Sequence, residues 1–140
     1  MNLFLAITDR RKDGFHNLVS LVVSLDWGDT LHAELAEETR LICDDDELPV
    51  DQSNLVLKAL AAFRESTGWT AGVKLQLVKR IPVGAGLGGG SSNAVVTLRA
   101  VNALSGNLLA DDELAKIATK LGADCALFLQ NAPVVMRGIG

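Results

Sequence analysis

The chain has 140 residues, 49% of them hydrophobic and 21% charged, with a net charge of −4. This is enough apolar material for one folded domain with its own core, and it excludes a disordered segment. There is no basic stripe for nucleic acid, no apolar run long enough to span a bilayer, and no basic leader before Leu3-Phe4-Leu5. Two cysteines, Cys43 and Cys125, are too few and too far apart for a disulfide scaffold or a zinc site, which points to reduced thiols and a cytoplasmic protein.

Residues 2–8 read as a strand, and Asp13-Gly14 is a hairpin signal. Apolar and β-branched residues from Leu18 to Leu25 predict a second strand. Trp27-Gly28-Asp29 turns the chain into a third, Thr30 to Leu35, and Leu41 to Cys43 adds a short fourth. The acidic run Asp44 to Glu47 lacks the glycine and ligand spacing of a calcium loop and reads as a solvated turn. Ser53 or Asn54 caps a helix whose apolar face is Leu55, Leu57, Ala59, Leu60 and Phe63, and Gly68 ends it. Val73, Leu75 and Leu77 alternate with Lys74, Gln76 and Lys79, the pattern of a half-exposed strand. A second helix is predicted from about Ser91 to Leu104, with Gly106 as its stop. A third is capped by Asp111 or Asp112 and ends near Leu121-Gly122; a short helix within Ala123 to Gln130 and a strand from Pro133 to Met136 complete the chain. The order ββββ–α–β–loop–α–α–α–β predicts an α+β domain covering residues 1–140.

Between the alternating strand and the second helix lies Pro82-Val83-Gly84-Ala85-Gly86-Leu87-Gly88-Gly89-Gly90-Ser91-Ser92-Asn93, with five glycines in seven residues. Glycine permits φ > 0 and close approach of a ligand, and the helix that follows aims unpaired N–H groups at whatever the loop holds. A phosphate suits such a place. A Walker A loop needs a lysine here, and none lies between Gly84 and Asn93. Gly84-Ala85-Gly86-Leu87-Gly88-Gly89 satisfies G-x-G-x-x-G, but residues 94–110 contain no acid for a ribose, and the strand before the loop alternates. The other motifs of a protein kinase are missing.

The loop P-x-G-x-G-L-G-G-G-S-S-N resembles the phosphate loop of the GHMP small-molecule kinases. Three further segments resemble motifs of those members that phosphorylate a hydroxyl of a CDP-linked sugar alcohol, CDP-methylerythritol, in non-mevalonate isoprenoid biosynthesis. They are Asn2-Leu3-Phe4-Leu5, Asp13-Gly14-Phe15-His16-Asn17-Leu18 and Gly122-Ala123-Asp124-Cys125-Ala126-Leu127-Phe128. The resemblance implies the ribosomal-protein-S5-domain-2-like fold, a mostly antiparallel sheet with helices on one face. It also implies ATP with Mg2+ as phosphoryl donor and a small-molecule acceptor, with no nucleic acid or membrane as partner. On this reading Pro82 to Ser92 bind the nucleotide, with Ser91 and Ser92 offering hydroxyls to phosphate or metal. Asp124 is the carboxylate that orients the acceptor hydroxyl, and its structural alternative is a helix cap. Phe15 stacks on cytosine, His16 meets the base edge, and Asn2 lines the acceptor site. The family's catalytic lysine would stand two residues before Asn2, ahead of Met1, and the family carries a second, C-terminal domain. The resemblance therefore implies an N-terminal fragment with little or no kinase activity by itself. Another GHMP kinase, such as a homoserine or mevalonate-pathway enzyme, and a non-catalytic nucleotide-binding module are the alternatives.

Overall fold

The structure is a computed structural model that describes residues 1–10, 14, 16–130 and 132–139. Asp13 of the expected hairpin turn and Phe15 lie outside the described residues. The chain forms two compact units, residues 1–26 with 130–140 and residues 27–129.

The first unit is a three-stranded antiparallel sheet ordered β1-β2-β6, from β1 (Asn2–Arg10), β2 (His16–Val22) and β6 (Val134–Ile139). Strand β2 is central, and its Ser20 is buried because its hydroxyl donates to the Phe4 carbonyl at 2.8 Å. Such a bond offsets the cost of burying the hydroxyl. Strand β1 lies at an edge, with register shifts between Asn2 and Phe4 and between Ile7 and Asp9. Its Leu3, Phe4, Leu5 and Ile7 are all more than half exposed. The last strand is longer and later than the expected Pro133 to Met136, because its pairing with β2 runs on to Ile139.

The second unit holds a sheet ordered β3-β5-β4, from β3 (Thr30–Ala36), β4 (Arg40–Cys43) and β5 (Gly72–Val78). Strand β3 runs antiparallel to β5, with Thr30 opposite Val78. Strand β4 runs parallel to β5, an arrangement that needs the crossover supplied by helix α1 (Leu55–Thr67). Helices α2 (Gly89–Leu104) and α3 (Asp111–Leu121) follow. The alternation in β5 sends Val73, Leu75 and Leu77 into the core, where they meet Val56, Leu60 and Phe63 of α1 and Val95, Leu98 and Val101 of α2. Phe63 takes Trp69 edge-to-face, with ring centroids 5.9 Å apart.

Helix α1 begins and ends where the sequence predicts. The Asn54 side chain accepts from the Val56 amide at 2.9 Å, and Gly68, at φ +71°, donates its amide to the Arg64 carbonyl. Two other helix starts differ from expectation. Helix α3 is entered from Ala110, not from Asp111 or Asp112. Those acids instead occupy the first turn, where the helix dipole favours them, and Glu113 accepts from the Ala110 amide at 3.0 Å. Helix α2 starts at Gly89, two residues before Ser91. The short helix expected after α3 is a 3-10 turn, Cys125–Leu129.

Candidate active site

The glycine loop adopts the conformation its composition allows. Gly84, Gly86 and Gly88 have φ of +74°, +71° and +73°, a region costly for any residue with a Cβ. Two glycines are also required by their neighbours. A Cβ at Gly88 would stand 2.7 Å from Cζ of Phe128, and one at Gly89 would stand 2.9 Å from Cγ2 of Ile81. The Ser92 amide makes the first helical bond, to the Gly88 carbonyl at 2.8 Å. The amides of Gly89, Gly90 and Ser91 precede it and so have no carbonyl partner within the helix. They border a cavity of about 400 Å³ walled by Pro82 to Ser91, Asn93 and Lys79, and by Leu48, Pro49 and Ser53 to Leu55 at the start of α1. Ser92 is not on this wall, in contrast to Ser91.

Beneath the loop lies a group that sequence reasoning missed. The Asp29 side chain is 2% exposed and that of Lys79 9%. Asp29 pairs with the Lys79 ammonium and accepts from the Arg80 amide at 2.7 Å, the Ile81 amide at 2.8 Å and Asn93 Nδ2 at 2.9 Å. Trp27-Gly28-Asp29 reads as a simple turn and Lys79 as the polar phase of a strand. The available signal was that an acid immediately before β3 must face the end of β5, since Thr30 and Val78 are partners. Asp44, in the run expected to be solvated, likewise accepts from the Lys79 amide at 2.7 Å.

Burial by itself would raise the Asp29 pKa. The Arg80 amide, the Lys79 ammonium, the Ile81 amide and Asn93 together outweigh it and hold the carboxyl below the usual aspartate value of 3.8. A group with a depressed folded pKa contributes stability that is complete above its unfolded value and is lost as pH falls through the folded one. The difference in melting temperature between the wild type and Asp29→Asn is therefore expected to stay constant from about pH 7 to about pH 5 and to shrink below about pH 4. A difference that instead narrows above pH 5 would contradict this assignment. Calorimetric melts across that range check it.

Asp124 is exposed, and its carbonyl accepts from the Leu127 amide at 3.2 Å. Among the described residues no donor reaches its carboxylate, so the side chain is not spent as a helix cap and faces solvent. The neighbouring Cys125 places it near α2. Burial pushes the Cys125 thiol up, a hydrogen bond with the Ser91 side chain opposes this, and the charge of Asp124 adds to the rise. The 3-10 turn is fixed to α2 by Arg99, which donates to the Leu129 carbonyl at 2.7 Å. The fold therefore brings together the loop, Ser91 and Asp124.

Asn2 and His16 belong to the other unit. Both are exposed, with Asn2 opposite Val22 and His16 opposite Arg10. They stand at opposite ends of the β1–β2 pair, roughly 25 Å apart along an extended strand, and so do not form one cluster.

Comparison with known proteins gives the family of this fold. Residues 54–137 match the family model described as GHMP kinases N terminal domain. The whole chain is 47% identical over 141 residues to a 4-diphosphocytidyl-2-C-methyl-D-erythritol kinase of Chlorobium phaeobacteroides, of which it covers 49%. The chain spans about half the length of the curated relatives it matches. Among solved structures, a 4-(cytidine 5'-diphospho)-2C-methyl-D-erythritol kinase superposes with a TM-score of 0.83 at 36% identity, over 98% of this chain and 48% of that one. A homoserine kinase from Cytophaga hutchinsonii superposes with a TM-score of 0.61 at 25% identity, over 79% of this chain and 36% of that one. The family model covers more than half the chain, through α1, the glycine loop, α2 and the Asp124 turn, and on that match the chain belongs to the GHMP kinases.

Proposed function

We propose that this chain is the nucleotide-binding half of an enzyme that transfers the γ-phosphoryl group of ATP to a hydroxyl of 4-diphosphocytidyl-2-C-methyl-D-erythritol. The observation that carries the nucleotide part is the cavity in which three left-handed glycines open onto the unpartnered amides of α2. Such a wall offers N–H donors and a positive helix end to phosphate oxygens, and added Cβ atoms at Gly88 and Gly89 would press into the loop's own packing. Phosphoryl transfer is mainly positioning and charge stabilisation, and the loop supplies positioning. Asp124, next to Cys125 and so to Ser91, is the carboxylate that accepts or orients the acceptor's proton. Mg2+ accompanies the triphosphate. Of the two serines only Ser91 lines the cavity, and its hydroxyl is an oxygen donor of the kind Mg2+ takes alongside phosphates.

The acceptor assignment rests on the names of the relatives and on the motif resemblance around Asn2, Phe15 and His16, not on the placement of those residues in the fold. The homoserine kinase likeness, at lower identity, favours the assignment over the second GHMP reading. The whole chain with one or both ends extended by the corresponding sequence of the Chlorobium relative is expected to consume ATP with the cytidine diphosphate substrate and not with homoserine. In that protein, Asp124→Asn is expected to lower kcat by about a hundredfold or more, the scale of a lost proton-transfer group, with little change in nucleotide affinity. Equal turnover on homoserine would overturn the acceptor assignment, and an undiminished kcat would remove Asp124 from the chemistry.

A further inference from the structure

We infer that Asp29 is the positioning residue of the nucleotide site, a single buried carboxylate that ties the two ends of the glycine loop together. The inference rests on the loop being the nucleotide cradle proposed above. The loop leaves β5 through Lys79, Arg80 and Ile81 and runs into α2 at Gly89, with Asn93 one turn into the helix. Asp29 accepts a hydrogen bond from each of Lys79, Arg80, Ile81 and Asn93, from two backbone amides on the entry side and from side chains on both sides.

No other polar group among the described residues holds both ends of this loop. A loop rich in glycine has more backbone freedom to lose than any other, so it does not keep a concave form unaided. Closing its mouth at one rigid point removes much of that freedom before a ligand arrives, which is preorganisation. Asp29 can serve as that point because it precedes β3, which is paired along its whole length to β5. The same carboxylate fixes the Lys79 ammonium against the first turn of α2. A Cβ at Gly89 would lie 3.4 Å from Lys79 Nζ, and Lys79 is part of the cavity wall. An unpaired ammonium there would face the positive end of the helix dipole, so Asp29 also neutralises a charge that the helix start disfavours.

Asp29→Asn keeps the size of the side chain and loses its charge. The exchange of the hydrogen-bonded amides at the two ends of the loop, Arg80, Ile81 and Ser92, is expected to speed up about tenfold or more in the ligand-free chain, the scale of losing hydrogen bonds to a charged group. Exchange within α1, at Leu57 to Phe63, which opens only with the whole unit, is expected to speed up by a clearly smaller factor. Fluorescent N-methylanthraniloyl-ATP with Mg2+ is expected to bind about tenfold more weakly for the same reason. Unchanged exchange at the loop ends overturns the inference. So does an equal acceleration in α1, which would mean that Asp29 serves general stability only. Asn93→Ala removes one of the four bonds and is the second variant should Asp29→Asn fail to fold. It is expected to loosen the same amides by a smaller factor, and no loosening there overturns the inference. If the wild-type chain does not bind the fluorescent nucleotide, the functional reading fails, and the exchange rates still decide whether Asp29 holds the loop.

Discussion

Gly88→Val is expected to remove nucleotide binding while the chain still folds. The position combines two constraints that are usually separate. Its φ of +73° lies in the left-handed region, where a β-branched residue is a genuine outlier. Its Cβ would also sit 2.7 Å from Cζ of Phe128, before the two valine methyls are added. Conformational strain of about 1–2 kcal/mol and overpacking of about 1–3 kcal/mol have the same remedy, a shift of the loop away from the 3-10 turn. Such a shift turns the amides of Gly89 and Gly90 out of the arrangement a phosphate needs. Titration with fluorescent ATP measures the loss, and a melting curve measures the strain. Gly106→Ala is the control, because Gly106 has φ +86° but open space around its Cβ direction. It should lower stability by about 1 kcal/mol and leave binding intact. Nucleotide affinity within twofold of wild type in Gly88→Val would show that the loop does not bind through this geometry.

Phe63→Ala is expected to cause the largest loss of stability, about 3–5 kcal/mol. The side chain is fully buried at the centre of the second unit, with Leu60 and Val56 on its own helix and Val73 and Leu75 on the sheet. Its removal opens a cavity and also deprives Trp69 of its edge-to-face partner. Domains of this size have total stabilities of about 5–15 kcal/mol, so the variant would be close to its unfolding threshold at ambient temperature. Urea unfolding followed by Trp fluorescence checks this, and a midpoint equal to wild type would place the centre of the core elsewhere.

The elements legible in the sequence are those whose signals are local. Asn54 and Gly68 bound α1 because capping chemistry acts within one turn, and β5 shows its buried face through strict alternation. The glycine loop was legible as a left-handed turn opening a helix because its composition leaves few other conformations. The start of α2 was misplaced because Gly89 and Gly90 are poor helix formers whose conformation comes from packing against Ile81 and Leu55. Asp29 was read only as part of a turn, since its partners are up to 64 residues away and only the β3–β5 register brings them near. The roles expected of Asp124 and His16 came from motif resemblance. The fold sets Asp124 beside Cys125, whose thiol meets the Ser91 side chain, and separates His16 from Asn2 along a hairpin.

Strand β1 bears on how this chain behaves in the test tube. It is an edge with unpaired backbone groups, and Leu3, Phe4, Leu5 and Ile7 project from both of its faces into water. Natural proteins usually blunt such an edge with a lysine, a proline or a covering segment. Residues 2–8 contain none of the first two. At high concentration the outward row of β1 amides and carbonyls, the one that β2 does not use, is available to another copy, so self-association competes with binding. A low protein concentration, or a charged residue in place of Leu5, protects the binding experiments from that competing assembly.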